Sequence, residues 1–278
     1  MRLVRRPGKA IVRPRSNSLV RSPASSPAVS SEKSLAIVLR LVDFSETSVV
    51  ATLFTEDFGK ISALAKGGRR PKGPFESALD LLALCRIVFL HKSSDVLDLL
   101  TEAKLERRFR AATRSLSHLY AGYYVAELLQ DLTDDGDPHP QLFRAANQTL
   151  IELDQACDVG TTVLRFEMVA LHELGHLPSL DRCVGCGDEI TEEGRIAFGQ
   201  LAGGVLCPRC RVGQRQVVSV SAGVIRAFRC FADPNDSWRR MQLNRGLRGE
   251  LRGVLNHYLA NLLGRKPRLH RYLGVLAE

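Results

Sequence analysis

Four cysteines, Cys183, Cys186, Cys207 and Cys210, form a Cys-x-x-Cys pair, a gap of 20 residues and a second Cys-x-x-Cys pair. No other feature of the chain restricts its fold so tightly. Each pair can set two thiolates on one tight turn, and two such turns closing on one Zn2+ must face each other across a tetrahedral shell. Gly185 and Gly187 free the backbone at the first turn, and Pro208 stiffens the second. The stretch between them has room for a short hairpin turning at Gly203-Gly204. Four thiolates leave no open position for water or substrate, so a site of this kind is structural. One such zinc per chain contributes on the order of 10 kcal/mol to folding a small subdomain. Disulfides are the rival use of these cysteines. Against them, no apolar segment of signal-peptide type follows the basic N-terminus, and a reducing cytoplasm is expected. The remaining Cys85, Cys157 and Cys230 sit singly in apolar surroundings and read as buried thiols.

The 278 residues suffice for two domains, each with its own core. A net charge of +9 favours a polyanionic partner, with nucleic acid ahead of a membrane surface. No run approaches the ~20 apolar residues that cross a bilayer. No internal repeat and no glycine-rich phosphate loop is present. Residues 1–33 carry eight Lys or Arg, one acid (Glu32) and four prolines without apolar periodicity, and they read as a basic disordered leader: an arm that brushes nucleic acid, a transit-like extension or a non-essential segment.

From Leu35 short apolar runs alternate with turn residues: Leu35 to Val42, Ser48 to Phe54, Lys60 to Ala65, Leu79 to Leu90 and Asp95 to Leu100. Five strand-length runs in about 70 residues predict a small closed barrel of the OB kind over residues 34–105. Several runs are apolar on both parities, which departs from simple alternation. After Leu105 the period becomes helical. Leu116, Leu119, Tyr120 and Tyr123 share one face, and Thr133 to Pro138 break that helix. Helices are also expected over Gln141 to Gln155, Thr161 to Leu174, Ser221 to Phe231 (capped by Ser221 or Ser219) and Asn244 to Leu263. The fold class is therefore α+β: a five-stranded OB barrel, then a helical domain over residues 106–278 that carries the four-cysteine module 183–210.

Between the third and fourth runs lies Ala65-Lys66-Gly67-Gly68-Arg69-Arg70-Pro71-Lys72. Arg supplies a planar donor fork and Lys a mobile point charge, a combination suited to a phosphodiester track. Nothing in this loop reads base edges, so contacts through Lys66, Arg69, Arg70 and Lys72 should be sequence-neutral and salt-sensitive. Phe44, Phe54, Phe58, Phe75 and Phe89 are the barrel's aromatic residues; with several in the core, charge should outweigh stacking. Residues 239–278 hold nine Lys or Arg against two acids, and Arg245, Arg248 and Arg252 recur at helical spacing. That face either extends a nucleic-acid surface or is an ordinary solvated helix face.

His172-Glu173-Leu174-Gly175-His176 matches H-E-x-x-H, the zinc-peptidase pattern with Glu173 as general base. Gly175 within the turn and Pro178 just after it argue against a helix that fixes both imidazoles.

These features together resemble the RecO family of bacterial DNA recombination and repair mediators, from about Leu35 to Leu273. The likeness rests on Thr47 through Phe54, Thr55-Glu56-Asp57-Phe58-Gly59-Lys60 and, most specifically, Ala65 through Lys72. It continues through Phe166-Glu167, Leu171, Leu174-Gly175, Pro178, Leu180, Cys183, Cys186-Gly187, Tyr258-Leu259 and Leu263-Gly264-Arg265. In that pattern Gly175 and Pro178 recur without the two histidines, and Gly68 stands where a small residue such as alanine is usual. The resemblance implies an OB barrel, a helical domain with a four-cysteine zinc module and no catalytic activity. It implies binding of single- and double-stranded DNA and annealing of complementary strands. Its partners would be RecR, RecF alongside it, the acidic tail of single-strand binding protein, and RecA indirectly, all at the bacterial nucleoid. It places DNA contact on Lys66, Arg69, Arg70 and Lys72 and zinc on Cys183, Cys186, Cys207 and Cys210. The alternatives are an RNA-binding zinc-ribbon module and an H-E-x-x-H peptidase.

Overall fold

The computed structural model describes residues 30–70, 73–75, 78–91, 97–191, 193–233, 235 and 237–273. Five strands close a barrel in the order β1-β2-β3-β5-β4: β1 Ser30–Asp43, β2 Val49–Thr55, β3 Gly59–Ala65, β4 Leu84–His91 and β5 Asp98–Arg107. The first half of β1 pairs with β4 and the second half with β2, with a bulge between Val38 and Arg40 where it changes partner. β3 and β5 close the barrel in parallel, Ala63 opposite Asp98.

Small residues make this tight closure possible. Ala36, Ala51, Ala63, Ala65 and Ala103 line the interior and leave room for Phe89, Leu53 and Ile87. On β3 buried and half-buried residues alternate strictly. Elsewhere the outer face is apolar too, because Ile37, Leu39 and Phe54 leave the barrel and join the core of the helical domain. That docking explains why the apolar runs carry both parities.

Four expectations are corrected at element ends. Ser30 to Lys33, read as leader, belong to β1, where Lys33 pairs with Val88 and Glu32 with Phe89; cross-strand pairing outweighs their polarity. The fourth strand begins at Leu84 rather than Leu79, because Leu82, at φ 61°, turns the chain as its amide donates to Val38 O. The fifth runs to Arg107, its alternating Glu102, Lys104 and Glu106 masking a strand that the apolar count missed. A strand before the fourth long helix, Val217–Ser221, was not foreseen at all.

The helical half comprises α1 Leu116–Leu132, α2 Pro140–Leu153, α3 Val159–Glu173, α4 Ala222–Ala232, α5 Arg245–Leu262 and the short α6 His270–Leu273. Ser115, Asp158 and Asn244 cap α1, α3 and α5 by accepting from the amides of His118, Thr161 and Leu247. Ser221 precedes α4 but its side chain does not cap it. It donates instead to Glu250 Oε2 at 2.6 Å, and Ser219 Oγ accepts from Arg195. Helix α3 is the shared wall of two cores. Val163, Phe166 and Ala170 face α1, α2 and the barrel, while Leu164, Met168 and Leu171 face α4, α5 and the small sheet. That sheet, order β7-β6-β8, consists of β6 Arg195–Gly199, β7 Gly204–Leu206 and β8 Val217–Ser221.

Two polar devices fix the arrangement. Glu167, fully buried on α3, accepts from Arg252 Nη1 of α5 at 2.7 and 2.8 Å and from Tyr124 Oη of α1 at 2.6 Å. Burial, and then the Glu167 carboxylate, push the Tyr124 hydroxyl well above its usual range, so it stays a donor. At the domain seam Lys60 Nζ donates to Gln130 O at 2.9 Å and Thr133 O at 2.5 Å, placing a cation on the carbonyl end of α1. Gly59 beside it, at φ 66°, passes so close to Asp137 that a Cβ would sit 2.2 Å from Asp137 O.

Removing one partner of a buried ion pair strands the other charge. Arg252→Met should therefore lower unfolding stability by roughly 3–5 kcal/mol in a urea titration. Arg248→Met, which breaks an outer pair with the half-exposed Asp158, should cost no more than about 1 kcal/mol. Equal costs would mean that burial does not distinguish the two pairs.

Candidate nucleic-acid surface and metal centre

The strand pairings bring two turns to one rim of the barrel. Asp43 lies opposite Val49, and Val49 opposite Ala65, so the β1–β2 turn and the loop after β3 leave neighbouring strands side by side. Gly67, at φ 78°, tightens the loop, with Gly68 N donating to Ala65 O and Arg70 N to Gly67 O. The two turns are also bonded to each other. Arg69 N donates to Thr47 O at 3.1 Å, and its guanidinium meets Asp43 Oδ2 at 3.0 Å. Lys66, Arg69 and Arg70 are exposed. Three of the cations expected to share a track thus stand together on the rim, and Lys72 lies outside the described residues.

The cations near the C-terminus differ. Arg248 binds Asp158 through Nη1 at 2.8 Å, Arg252 binds Glu167, and Arg265 Nη2 reaches Asp131 at 2.5 Å. Arg239, on the turn before α5, pairs with Glu152 at 2.9 Å. Arg248 and Arg252 therefore do not form a solvated stripe with Arg245; they tie α5 to α3. Sequence spacing places residues on one helix face but does not say which acids lie across it.

The four cysteines converge as expected. Their sulfurs all lie within 4.8 Å of one another, and Cys186 and Cys207 are 3.8 Å apart. A tetrahedral ion with sulfur at about 2.3 Å holds its ligands roughly 3.8 Å apart, so the donor set fits a tetrahedral thiophilic ion. The amides of Gly185 and Cys207 point at Cys183 Sγ, and that of Cys210 at Cys207 Sγ. Burial pushes the Cys183 thiol up, but the amides of Cys207, Gly185 and Cys186 outweigh it and bring it from 9.0 down to about 6. At Gly185 a Cβ would stand 2.9 Å from Cys210 Cβ, so the first turn needs glycine to reach the second. The hairpin between the pairs turns through Gln200 to Gly203, and Gly204 opens β7 beside Ser179. Among the described residues these four cysteines are the one group placed to hold a metal.

The H-E-x-x-H segment is a helix terminus. Gly175, at φ 72°, follows α3; its amide donates to His172 O, and the amide of His176 reaches back to Leu171 O at 2.7 Å. This is a Schellman ending, and it puts His176 outside the helix, off the face of His172. The pattern arises from a stop signal whose flanking residues happen to be histidines.

Sequence reasoning also passed over Phe44. Phe54, Phe75 and Phe89 are buried in the cores, whereas Phe44 is 62% exposed in the β1–β2 turn. Its position after a strand and before Ser45-Glu46-Thr47 was the available signal.

The sequence also matches known proteins over most of its length. Residues 29–109 match the family model for the recombination protein O N-terminal domain, and residues 114–271 that for its C-terminal domain. The DNA repair protein RecO of Rhodopirellula baltica is 43% identical over 263 residues, covering 86% of this chain and 97% of that protein. The RecO proteins of Myxococcus xanthus and Moorella thermoacetica are 33% and 30% identical, covering 83% and 86% of this chain and 92% and 88% of theirs. No helix among the described residues is long and apolar enough to cross a membrane.

If the cysteines hold a metal, Cys183→Ser should release it and lower Tm, whereas His176→Ala should change neither metal content nor Tm. Metal analysis by mass spectrometry with thermal melts checks both. Retention of a full metal equivalent by Cys183→Ser would refute the ligand set.

Proposed function

From the chain's membership of the RecO family of DNA repair proteins, we propose that it is a non-enzymatic mediator of recombinational repair that binds single- and double-stranded DNA and anneals complementary strands. The observation that carries this reading is the rim where Lys66, Arg69 and Arg70 share one loop, bonded through Arg69 to the neighbouring turn. Two DNA strands repel each other, and a cationic surface that neutralises both lowers the cost of approach without any acid–base chemistry. Backbone contacts leave base edges free to pair. Lys72 extends the same track by its place in the sequence.

In this reading the cysteine cluster carries one structural Zn2+, which supplies folding energy and no chemistry to a substrate. Cys183, Cys186, Cys207 and Cys210 hold the ion, and the hairpin they close covers the second core through Ile196, Phe198 and Val205. RecR, with RecF beside it, and the acidic tail of single-strand binding protein are the partners that family membership supports, so that RecA loads on gapped DNA at the nucleoid. Residues 1–29 remain a candidate basic arm by composition alone.

The test is annealing of complementary oligonucleotides across a salt series. Lys66→Glu with Arg70→Glu should slow annealing and weaken DNA binding about equally on unrelated sequences. It should also flatten the dependence of log Kd on log salt by roughly one to two units, about one per lost phosphate contact. An unchanged slope removes this loop from the contact surface. A preference for RNA without annealing would favour an RNA-binding module instead.

A further inference from the structure

The most exposed phenylalanine side chain described on the barrel, Phe44, stands where the cations do. It is 62% exposed, and Val42 beside it is 43% exposed, at the end of a strand whose inner residues are almost fully buried. Single exposed apolar residues are common and by themselves mean little. Here the placement is specific. Phe44 lies in the turn between Asp43 and Thr47, the two residues that hold Arg69, one by its carboxylate and the other by its carbonyl. The turn is also braced within itself. The amides of Phe44 and Ser45 both donate to Ser48 O, at 3.0 and 3.2 Å, and the amide of Ser48 donates to Ser45 Oγ at 3.2 Å. A ring held out by a turn braced by these three internal bonds and the two to Arg69 meets a ligand with little ordering cost.

Resting on the DNA-binding reading above, we propose that Phe44 is a stacking platform for an unpaired base, while Lys66, Arg69 and Arg70 hold the phosphates of the same strand. The chemistry of the two parts is complementary. Phosphate contacts fix a strand's position without regard to its pairing state, whereas a ring face is available only to a base outside a duplex stack. The cations therefore serve both DNA forms, and Phe44 biases the rim toward single strands. One stacked base is weak enough to be surrendered when a complementary strand arrives, as annealing requires. The same ring adds one stacking contact to a barrel on which charge was expected to outweigh stacking: the aromatic count is low, but Phe44 is outside the core.

The experiment compares the full-length, metal-loaded protein with Phe44→Ala and Phe44→Trp on an oligothymidylate, on a duplex and on an abasic oligomer of equal length. Phe44→Ala should weaken oligothymidylate binding on the order of tenfold and duplex binding less than twofold, with the salt slope unchanged. Phe44→Trp should bind like the parent, and its indole fluorescence should be quenched by the oligothymidylate but not by the abasic strand. Trp238, the sole native tryptophan, is buried and contributes a constant background. Equal losses on single strand and duplex would show a role in holding the turn, and no loss would show a bystander; either overturns the proposal. So would intact binding to naked oligomer with weakened binding to DNA coated by single-strand binding protein, which would make Phe44 a protein contact. Lys66→Glu with Arg70→Glu is measured in parallel. If that pair leaves both DNA forms bound as before, the DNA-binding reading of the rim fails, whatever Phe44 does.

Discussion

The Glu167–Arg252 pair decides what the helical half of this chain can be. A carboxylate removed from water is tolerated only with full hydrogen bonding, and Glu167 finds it from two helices at once, Arg252 on α5 and Tyr124 on α1. Helix α3 is thereby fixed between partners far apart in the sequence. Its two apolar faces then divide the interior, one toward the barrel and the other toward the small sheet. The cysteine hairpin caps the second core, and Lys60 joins the first to the barrel by seating its ammonium on the end of α1.

The same internal pairing sorts the charge. The chain has nine more cations than acids, but many cations of the helical half are committed. Arg195 faces Glu250, Arg239 faces Glu152, Arg248 faces Asp158 and Arg265 faces Asp131, while Arg107 at the end of β5 reaches across to Asp154. The barrel rim is poorer in acids. Asp43 engages Arg69 there from a position that leaves both groups largely in water, where such a pair is worth little and yields readily to a phosphate. On the barrel rim Lys66, Arg69 and Arg70 thus gather into a local cationic patch, with an aromatic ring at its edge.

Much of this was legible in the residues. The cysteine spacing identified the metal-type cluster because a Cys-x-x-Cys turn has few alternative uses, and glycines with cations marked the rim loop. The barrel was readable as five strand-length runs, although docking on the helices blurred their alternation at Ile37, Leu39 and Phe54. What the sequence hid was long-range. Nothing local says that Arg252 meets a buried acid or that Ser221 serves Glu250 instead of its own helix. The histidine pair at helical spacing matches a metal motif, but Gly175 and Pro178 already spoke against it in the sequence, and the backbone of Gly175 shows that the helix has ended. Phe44 stood among the barrel's five aromatic residues without being told apart from those in the core, because composition does not register exposure.

On the proposed reading, DNA sits on the barrel rim and not on the α5 face. Hydrogen–deuterium exchange with and without a saturating oligothymidylate tests it directly. Amides of residues 43–48 and 66–70 should gain protection, while those of Arg245–Leu262 should not change. Protection confined to Arg245–Leu262, with the rim exchanging as freely as in the unbound protein, would contradict the account.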